Sequence, residues 1–379
     1  MRIALVAGES SGDLLGAGLI KAIRERVPDA TFEGVAGPAM IEAGCDPIAD
    51  AEMLAVMGLV EPLKRVPALL KLRGSLFERW SRQPPDVFVG IDAPDFNFAL
   101  EKKVRASGVA TVHYVSPSIW AWRAGRIETV RAACDRILCI LPFEKSLYDD
   151  ADIDAVFVGH PMAERLPMNP DAAAYREQLG IEGQPVVALL PGSRGSEVSR
   201  LGPTFAEVAT RLADDFANIR FLVPAATPRL KVLIENQLIS AGVIDQVTVL
   251  DGQSIAAMAA ADVVLLASGT AALESALLRR PTIAAYRVSP VTHFIVRRLG
   301  MLKIDHFTLP NQLTESPLVP EFMQKNATAE RIYPAVRDLL NDPERCEAIA
   351  CQFDKLRQEL ALGADSRAAE AVLDVAQKD

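Results

Sequence analysis

The sequence predicts an α/β protein built as two successive Rossmann-like domains. Three observations carry that prediction: the length of the chain, an alternation of short apolar runs with longer amphipathic stretches, and a proline-rich break between two such series. At 379 residues the chain exceeds one ordinary core, and domains of roughly 100–200 residues make two the natural number. The first series places strands at residues 2–7, 32–36, 87–91, 110–114, 136–140 and 155–158, with helices such as 13–26, 62–80 and 96–106 between them. Nearly unbroken apolar runs suit parallel strands covered by helices on both faces. Residues 160–170, with three prolines, end this series. A second follows, with strands at 186–190, 220–224, 247–250, 263–267 and 282–285 and helices at 197–216, 229–239 and 270–278. The expected domains are 1–165 and 166–345. Residues 346–379 read as a helical tail, broken near Gly363, that either crosses back to the first domain or contributes to a dimer.

Composition excludes several classes. A net charge of −9 and a pI near 5.2 argue against a general nucleic-acid binder, which shows a basic excess. The five cysteines form no C-x-x-C pair, which suggests reduced thiols in a cytoplasmic protein. The four histidines lack metal-ligand spacing, so a structural zinc site is not expected. The opening MRIALVAGE reads as a strand and a turn rather than a leader. No window of ~18 residues is free of charge, so no membrane span is expected. The expectation is a protein that at most lies on a membrane surface.

In parallel sheets of this kind ligands bind beyond the carboxyl ends of the strands. The unusual sequences lie there. Gly8-Glu9-Ser10-Ser11-Gly12-Asp13 follows the first strand. Its glycines allow a sharp turn, and the free N–H groups of the next helix suit a phosphate or carbonyl oxygen. The alternative is a plain turn with Asp13 as a helix cap. The string also matches G-x-S-x-G with Ser10 as nucleophile, but an elbow on the first strand has neither preceding strands nor an oxyanion loop. In Gly90-Ile91-Asp92-Ala93-Pro94-Asp95-Phe96-Asn97, Asp92 ends an apolar strand and is placed to act as a general base. Asp95 sits where a helix begins and is expected to cap it.

Residues 113–123 (HYVSPSIWAWR) bring Trp120 and Trp122 beside Arg123, a set suited to stacking on a sugar and holding a phosphate, or to anchoring a loop. In the second domain, Leu190-Pro191-Gly192-Ser193-Arg194-Gly195-Ser196-Glu197 offers backbone donors and a cation to a diphosphate. Ala267-Ser268-Gly269-Thr270 opens a helix with small residues, and Glu274 lies about one turn after Thr270, where it can accept from ribose hydroxyls. Two stretches, 54–76 and 293–303, mix apolar and basic residues in a way that can lie on an anionic membrane surface, although core-facing helices with solvated charges are the commoner meaning of such a pattern.

These motifs, with AVMG at 55–58, LPFEK at 141–145, VGHP at 158–161 and LPNQL at 309–313, resemble the lipid-A-disaccharide synthase family in order and over nearly the whole chain. The resemblance implies a GT-B fold, with two Rossmann-like domains facing each other across a cleft. It implies transfer of 2,3-diacylglucosamine from its UDP derivative to 2,3-diacylglucosamine 1-phosphate, giving a β-1,6-linked disaccharide phosphate and UDP. It also implies work at the cytoplasmic face of the inner membrane of a Gram-negative cell, without metal or other cofactor. Carried over motif by motif, Asp92 is the base. Ser193, Arg194, Ser268, Gly269, Thr270, Glu274 and Asn311 contact the nucleotide. Glu9, Ser10, Ser11, Asp13, Met57, Trp120 and Arg123 contact the acceptor or its lipid. Members of the family can pair through the C-terminal region, which adds a second copy of the chain to the expected partners. Rival readings are another GT-B transferase or a nucleotide-sugar epimerase, and a nucleotide-sugar-binding protein without turnover.

Overall fold

The computed structural model describes residues 1–54, 61–117, 126–267, 269–288 and 306–377, with side chains described from Val66 onward in the segment 61–82. Met57, Trp120, Arg123 and Ser268 lie outside the described residues, as does the stretch 293–303.

The chain divides into two units. Residues 1–161 form the first together with the chain from Glu359 onward, and Met162–Gln358 form the second. The expectation from sequence drew the seams at 165/166 and 345/346; the contacts draw them at 161/162 and 358/359.

In the first unit β1 (Arg2–Ala7), α1 (Glu9–Arg26), β2 (Thr31–Ala36), α2 (Pro38–Glu42), β3 (Cys45–Asp50), α3 (Glu61–Arg82), β4 (Val87–Ile91) and α4 (Pro94–Ala106) come in order. They are followed by β5 (Ala110–Tyr114), α5 (Ile127–Ala133), β6 (Arg136–Cys139), α6 (Glu144–Asp149) and β7 (Ala155–Phe157). The seven strands are parallel in the order β3-β2-β1-β4-β5-β6-β7. The run Val87–Ile91 is buried throughout, as a central strand covered on both faces must be. Edge strand β3 escapes the sequence pattern because CDPIAD carries a proline and two aspartates, which ladders tolerate only at an edge. Helix α1 begins four residues earlier than expected, at Glu9, so the glycine-containing motif is itself the first helical turn.

The C-terminal helix Ala364–Ala376 belongs to this unit. Ala368, Ala369 and Val372 have no exposure and pack with Leu5, Ile20, Val89 and Val112 in one core. Arg136 fastens it from β6, donating to the Ala371 carbonyl at 3.0 Å and to Asp374 at 2.7 Å. The chain returns beside Gly159, whose φ of +91° and 2.7 Å clearance to the Leu360 carbonyl admit no side chain.

The second unit runs α7 (Met162–Arg165), α8 (Ala172–Gln178), β8 (Val186–Leu190), α9 (Gly195–Asp215), β9 (Arg220–Ala225), α10 (Pro228–Ala241) and β10 (Val247–Asp251). Next come α11 (Ser254–Ala260), β11 (Val263–Ala267), α12 (Thr270–Leu277) and β12 (Thr282–Tyr286), then a short helix Leu309–Leu313 and β13 (Glu321–Met323). Its six strands are parallel in the order β10-β9-β8-β11-β12-β13. Helices Ala329–Leu340 and Pro343–Leu360 close the unit, and Arg357 ties the latter to the Leu277 carbonyl at 2.7 Å.

The C-terminal helix yields a stability prediction. Val372→Asp sets an unpaired charge among fully buried side chains and should destabilise the protein by about 3–5 kcal/mol. Urea unfolding reads it, and a loss below ~1 kcal/mol, the size of a surface substitution, would mean that this helix does not cover the sheet.

Candidate functional site

Each sheet reverses its order once, between β1 and β4 in the first unit and between β8 and β11 in the second. At such a switch point successive helices leave on opposite faces and open a crevice at the strands' carboxyl ends.

In the first unit the two turns at this point touch. A Cβ on Gly8 would lie 2.8 Å from that of Ala93, so only glycine fits. Glu9, Asp92 and Ala93 all have positive φ, at 63°, 52° and 43°. Left-handed backbone costs a non-glycine residue roughly 1–2 kcal/mol, and such strain collects at functional sites. It is held here by a side chain given no role in the sequence reading, Asn97. Its amide donates to the carbonyls of Asp92 at 2.7 Å, Val6 at 3.2 Å and Ile91 at 3.4 Å. The Asp92 N–H donates across to the Tyr114 carbonyl of β5 at 2.9 Å.

One turn further along α4, Glu101 meets His113 of β5 at 2.7 Å, and neither has any exposure. Gly90 leaves room for them: a Cβ there would come within 2.0 Å of the Glu101 carboxylate. Asn97, Glu101 and His113 thus form a buried polar column beneath the Asp92 turn. The signal that could have revealed it is the i, i+4 spacing of Asn97 and Glu101 on a helix that is otherwise apolar on that face.

Asp92 and Glu9 open onto a cavity of about 560 Å³. Its other lining is mostly apolar: Leu54, Val66, Leu69, Leu70 and Phe96, with Arg73 and Asp95 as further charged groups. Ser10 and Ser11 are exposed on the first turn of α1 and do not line it. Asp13 has another task. Nearly buried, it accepts from the backbone N–H groups of Gly37, Ala39 and Met40 at 2.9–3.0 Å and so caps α2 rather than its own helix. Asp95 makes no capping bond; it is exposed and pairs with Arg126 at the start of α5.

In the second unit the switch point carries a cavity of about 430 Å³. It brings together Ser193, Arg194, Gly269, Thr270 and Glu274. Arg194 occupies the position before the first turn of α9, and its side chain is 64% exposed, free to turn towards a ligand. Glu197, unassigned in the sequence reading, takes up the turn's donors: its carboxylate accepts from the N–H of Ser193 at 3.2 Å and of Arg194 at 3.3 Å. It also lies 3.5 Å from the Arg194 guanidinium. Across the cavity Gly269, with φ +146°, precedes α12, whose first N–H groups have no partner within the helix. Glu274 is half-buried, and burial pushes its carboxyl above the usual carboxylate range.

Asn311 is not part of this cavity. Its amide donates to the Val319 carbonyl at 2.7 Å and to Glu321 at 2.9 Å, and its oxygen accepts from the N–H groups of Leu318 and Val319, both at 2.8 Å. These bonds fill the amide's ordinary capacity and pin the segment that leads into β13.

Comparison with known proteins follows the same lines. The family model described as lipid-A-disaccharide synthetase matches residues 3–375. A lipid-A-disaccharide synthase of Xanthomonas campestris pv. campestris (strain 8004) is 48% identical over 376 residues, covering 99% of this chain and 86% of the relative. That of Alkalilimnicola ehrlichii is 48% identical over 98% of both chains, and that of Hahella chejuensis is 45% identical over 100% of this chain and 95% of the relative. Among solved structures, UDP-GlcNAc 2-epimerase from Neisseria meningitidis bound to UDP-GlcNAc superposes with a TM-score of 0.62 at 14% identity, covering 100% of both chains. The glycosyltransferase of kitacinnamycin gives 0.60 at 17% identity, covering 99% of this chain and 98% of that one. Those likenesses establish the GT-B fold; the choice between transfer and epimerisation comes from the family. The chain belongs to the lipid-A-disaccharide synthetase family and is a hexosyltransferase that forms the lipid A disaccharide.

Proposed function

We propose that the enzyme works by an inverting single displacement in which Asp92 is the base and the second unit holds the UDP of the donor. The observation that carries this reading is that Asp92 lines a largely apolar cavity from a turn with left-handed backbone. The acceptor, 2,3-diacylglucosamine 1-phosphate, offers its 6-hydroxyl. The Asp92 carboxylate takes the hydroxyl proton as the oxygen bonds to the donor's anomeric carbon. The bond from that carbon to the diphosphate breaks, and UDP leaves with the electron pair. Arg194 and the first turn of α12 meet the charge that builds on the leaving group. Glu197 must then give up its hold on the Ser193–Arg194 turn, since a diphosphate and a carboxylate compete for the same donors. Glu274 accepts from the ribose hydroxyls.

The acyl chains draw on Leu54, Leu69 and Phe96, and the exposure of Val66 (42%) and Leu70 (52%) supports contact with a membrane surface along α3. No helix among the described residues is long and apolar enough to cross a membrane, which favours peripheral attachment. Pairing with a second copy through the C-terminal region remains part of this reading.

Asp92→Asn keeps shape but takes no proton, so turnover should fall by about 10²–10⁴-fold with UDP affinity unchanged. Arg194→Ala should do the converse, weakening UDP by about 1–3 kcal/mol in calorimetry. Near-normal turnover in Asp92→Asn overturns the mechanism and leaves Glu9 as the base to test, because Asp13 and His113 are buried and engaged.

Asn97→Ala strips three carbonyls of a donor. It should cost about 1–3 kcal/mol in urea unfolding and lower kcat while sparing UDP affinity.

Glu274 predicts a pH dependence. Its folded pKa lies above the unfolded value, so its contribution to stability is present below the unfolded pKa and is lost as pH rises through the folded one. Ribose hydroxyls donate to the ionised form, so UDP affinity should drop as pH falls through the raised pKa. In Glu274→Gln both trends should flatten, as read by denaturation and UDP calorimetry across the acid range.

A further inference from the structure

Arg73 is the one cation among the described residues that line the cavity of the first unit. It stands on α3 one turn after Leu69 and Leu70, which line the same cavity, and it is half-buried. Its guanidinium carbon lies 5.8 Å from the ring centroid of Phe96, in the first turn of α4 just past the Asp92 turn. No carboxylate pairs with it among the described residues, whereas its neighbour along the helix, Arg79, is held by Glu33 at 2.8 Å. A guanidinium that lines a cavity beside apolar side chains, with no carboxylate paired to it among the described residues, is available to an arriving anion.

The acceptor brings one anion, the phosphate on its anomeric carbon. That carbon and the carbon bearing the 6-hydroxymethyl arm flank the ring oxygen, so one edge of the sugar presents both the phosphate and the reacting hydroxyl. The cavity is matched to such an edge. Glu9, Asp92 and Asp95 repel a phosphate from their part of the lining, and Arg73 attracts it to its own. A planar fork of donors fits phosphate oxygens in pairs. We propose that Arg73 reads the anomeric phosphate of the acceptor, and thereby selects the sugar 1-phosphate over an unphosphorylated diacylglucosamine and points its 6-hydroxyl at the base. This rests on the reading of the cavity as the acceptor site.

The test compares Arg73→Gln and Arg73→Met, which keep the apolar stem, with the unaltered enzyme and Asp92→Asn in neutral detergent micelles. Each is assayed with 2,3-diacylglucosamine 1-phosphate and with 2,3-diacylglucosamine as acceptor. Melting temperatures establish which variants fold, and either one suffices. The unaltered enzyme should prefer the phosphorylated acceptor. In the Arg73 variants kcat/KM for that acceptor should fall about 10–100-fold, mainly through its KM, the scale of a lost charged hydrogen bond. For the unphosphorylated acceptor it should change by less than about 3-fold, with donor KM and UDP affinity unaltered. Equal losses on both acceptors, or a preference that survives, overturn the proposal. A rise in donor KM instead overturns the reading of the cavity along with it. If the preference collapses while Asp92→Asn stays active, the phosphate contact stands and the assignment of the base alone fails.

Discussion

A parallel sheet cannot grow in both directions from its first strand without leaving a gap, and that constraint organises both units. Strand β2 adds to one side of β1 and β4 to the other, so α1 and α4 depart on opposite faces. The backbone donors and the side chains at the two strand ends then have no covering helix. The same reversal between β8 and β11 sets the Arg194 turn opposite the start of α12. Both candidate sites are consequences of strand order, and the residues that fill them differ because their tasks do. The first unit offers carboxylates and an apolar wall; the second offers an arginine, small residues and helix N–H groups.

The apolar packing that stabilises each sheet also explains the polar groups within it. Buried polar residues cost solvation unless bonded, and they seldom increase stability over an apolar substitute. In the first unit Asn97, Glu101 and His113 are fully buried beside the Asp92 turn. Their bonds do what apolar contacts cannot: they are directional, so they fix α4 against β4 and β5 in one register. That rigidity sustains the consecutive left-handed residues Asp92 and Ala93, a conformation the chain would otherwise relax. In the second unit Asn311 and Glu321 do the same for the approach to β13. Glycine serves the complementary need, admitting Glu101 at Gly90, Ala93 at Gly8 and Leu360 at Gly159.

Glu197 and Glu274 line one cavity in different surroundings. Glu197 sits among backbone donors and beside a guanidinium, where its charge is welcome. Glu274 is half-buried, and that burial disfavours its charge. A ligand that brings both a diphosphate and a ribose changes the environment of each in opposite senses: it displaces the first and satisfies the second.

Period and punctuation were enough to read the central strands β1, β4, β5, β8 and β11 and the switch-point turns that follow them, because these features are local; the family was legible only through the resemblance of motifs spread along the chain. An apolar run of five residues next to a glycine-rich turn looks the same whatever packs on it. Of the four edge strands, β7 and β10 were legible as short apolar runs, but β3 and β13 were not: CDPIAD and the three-residue EFM carry little strand pattern of their own, and a strand with one neighbour can form on its partner's free donors. Within the motifs, sequence could not divide labour. Asp92 and Asp13 each follow a strand end by a few residues, yet one faces a cavity and the other caps α2, 24 residues away in the chain. Asn311 and Glu274 read alike as ligand contacts in sequence, and only the fold shows that the Asn311 amide is engaged by backbone groups and Glu321. Whether a polar side chain meets solvent, ligand or backbone depends on groups brought near it by the fold, and those groups lie far away along the chain.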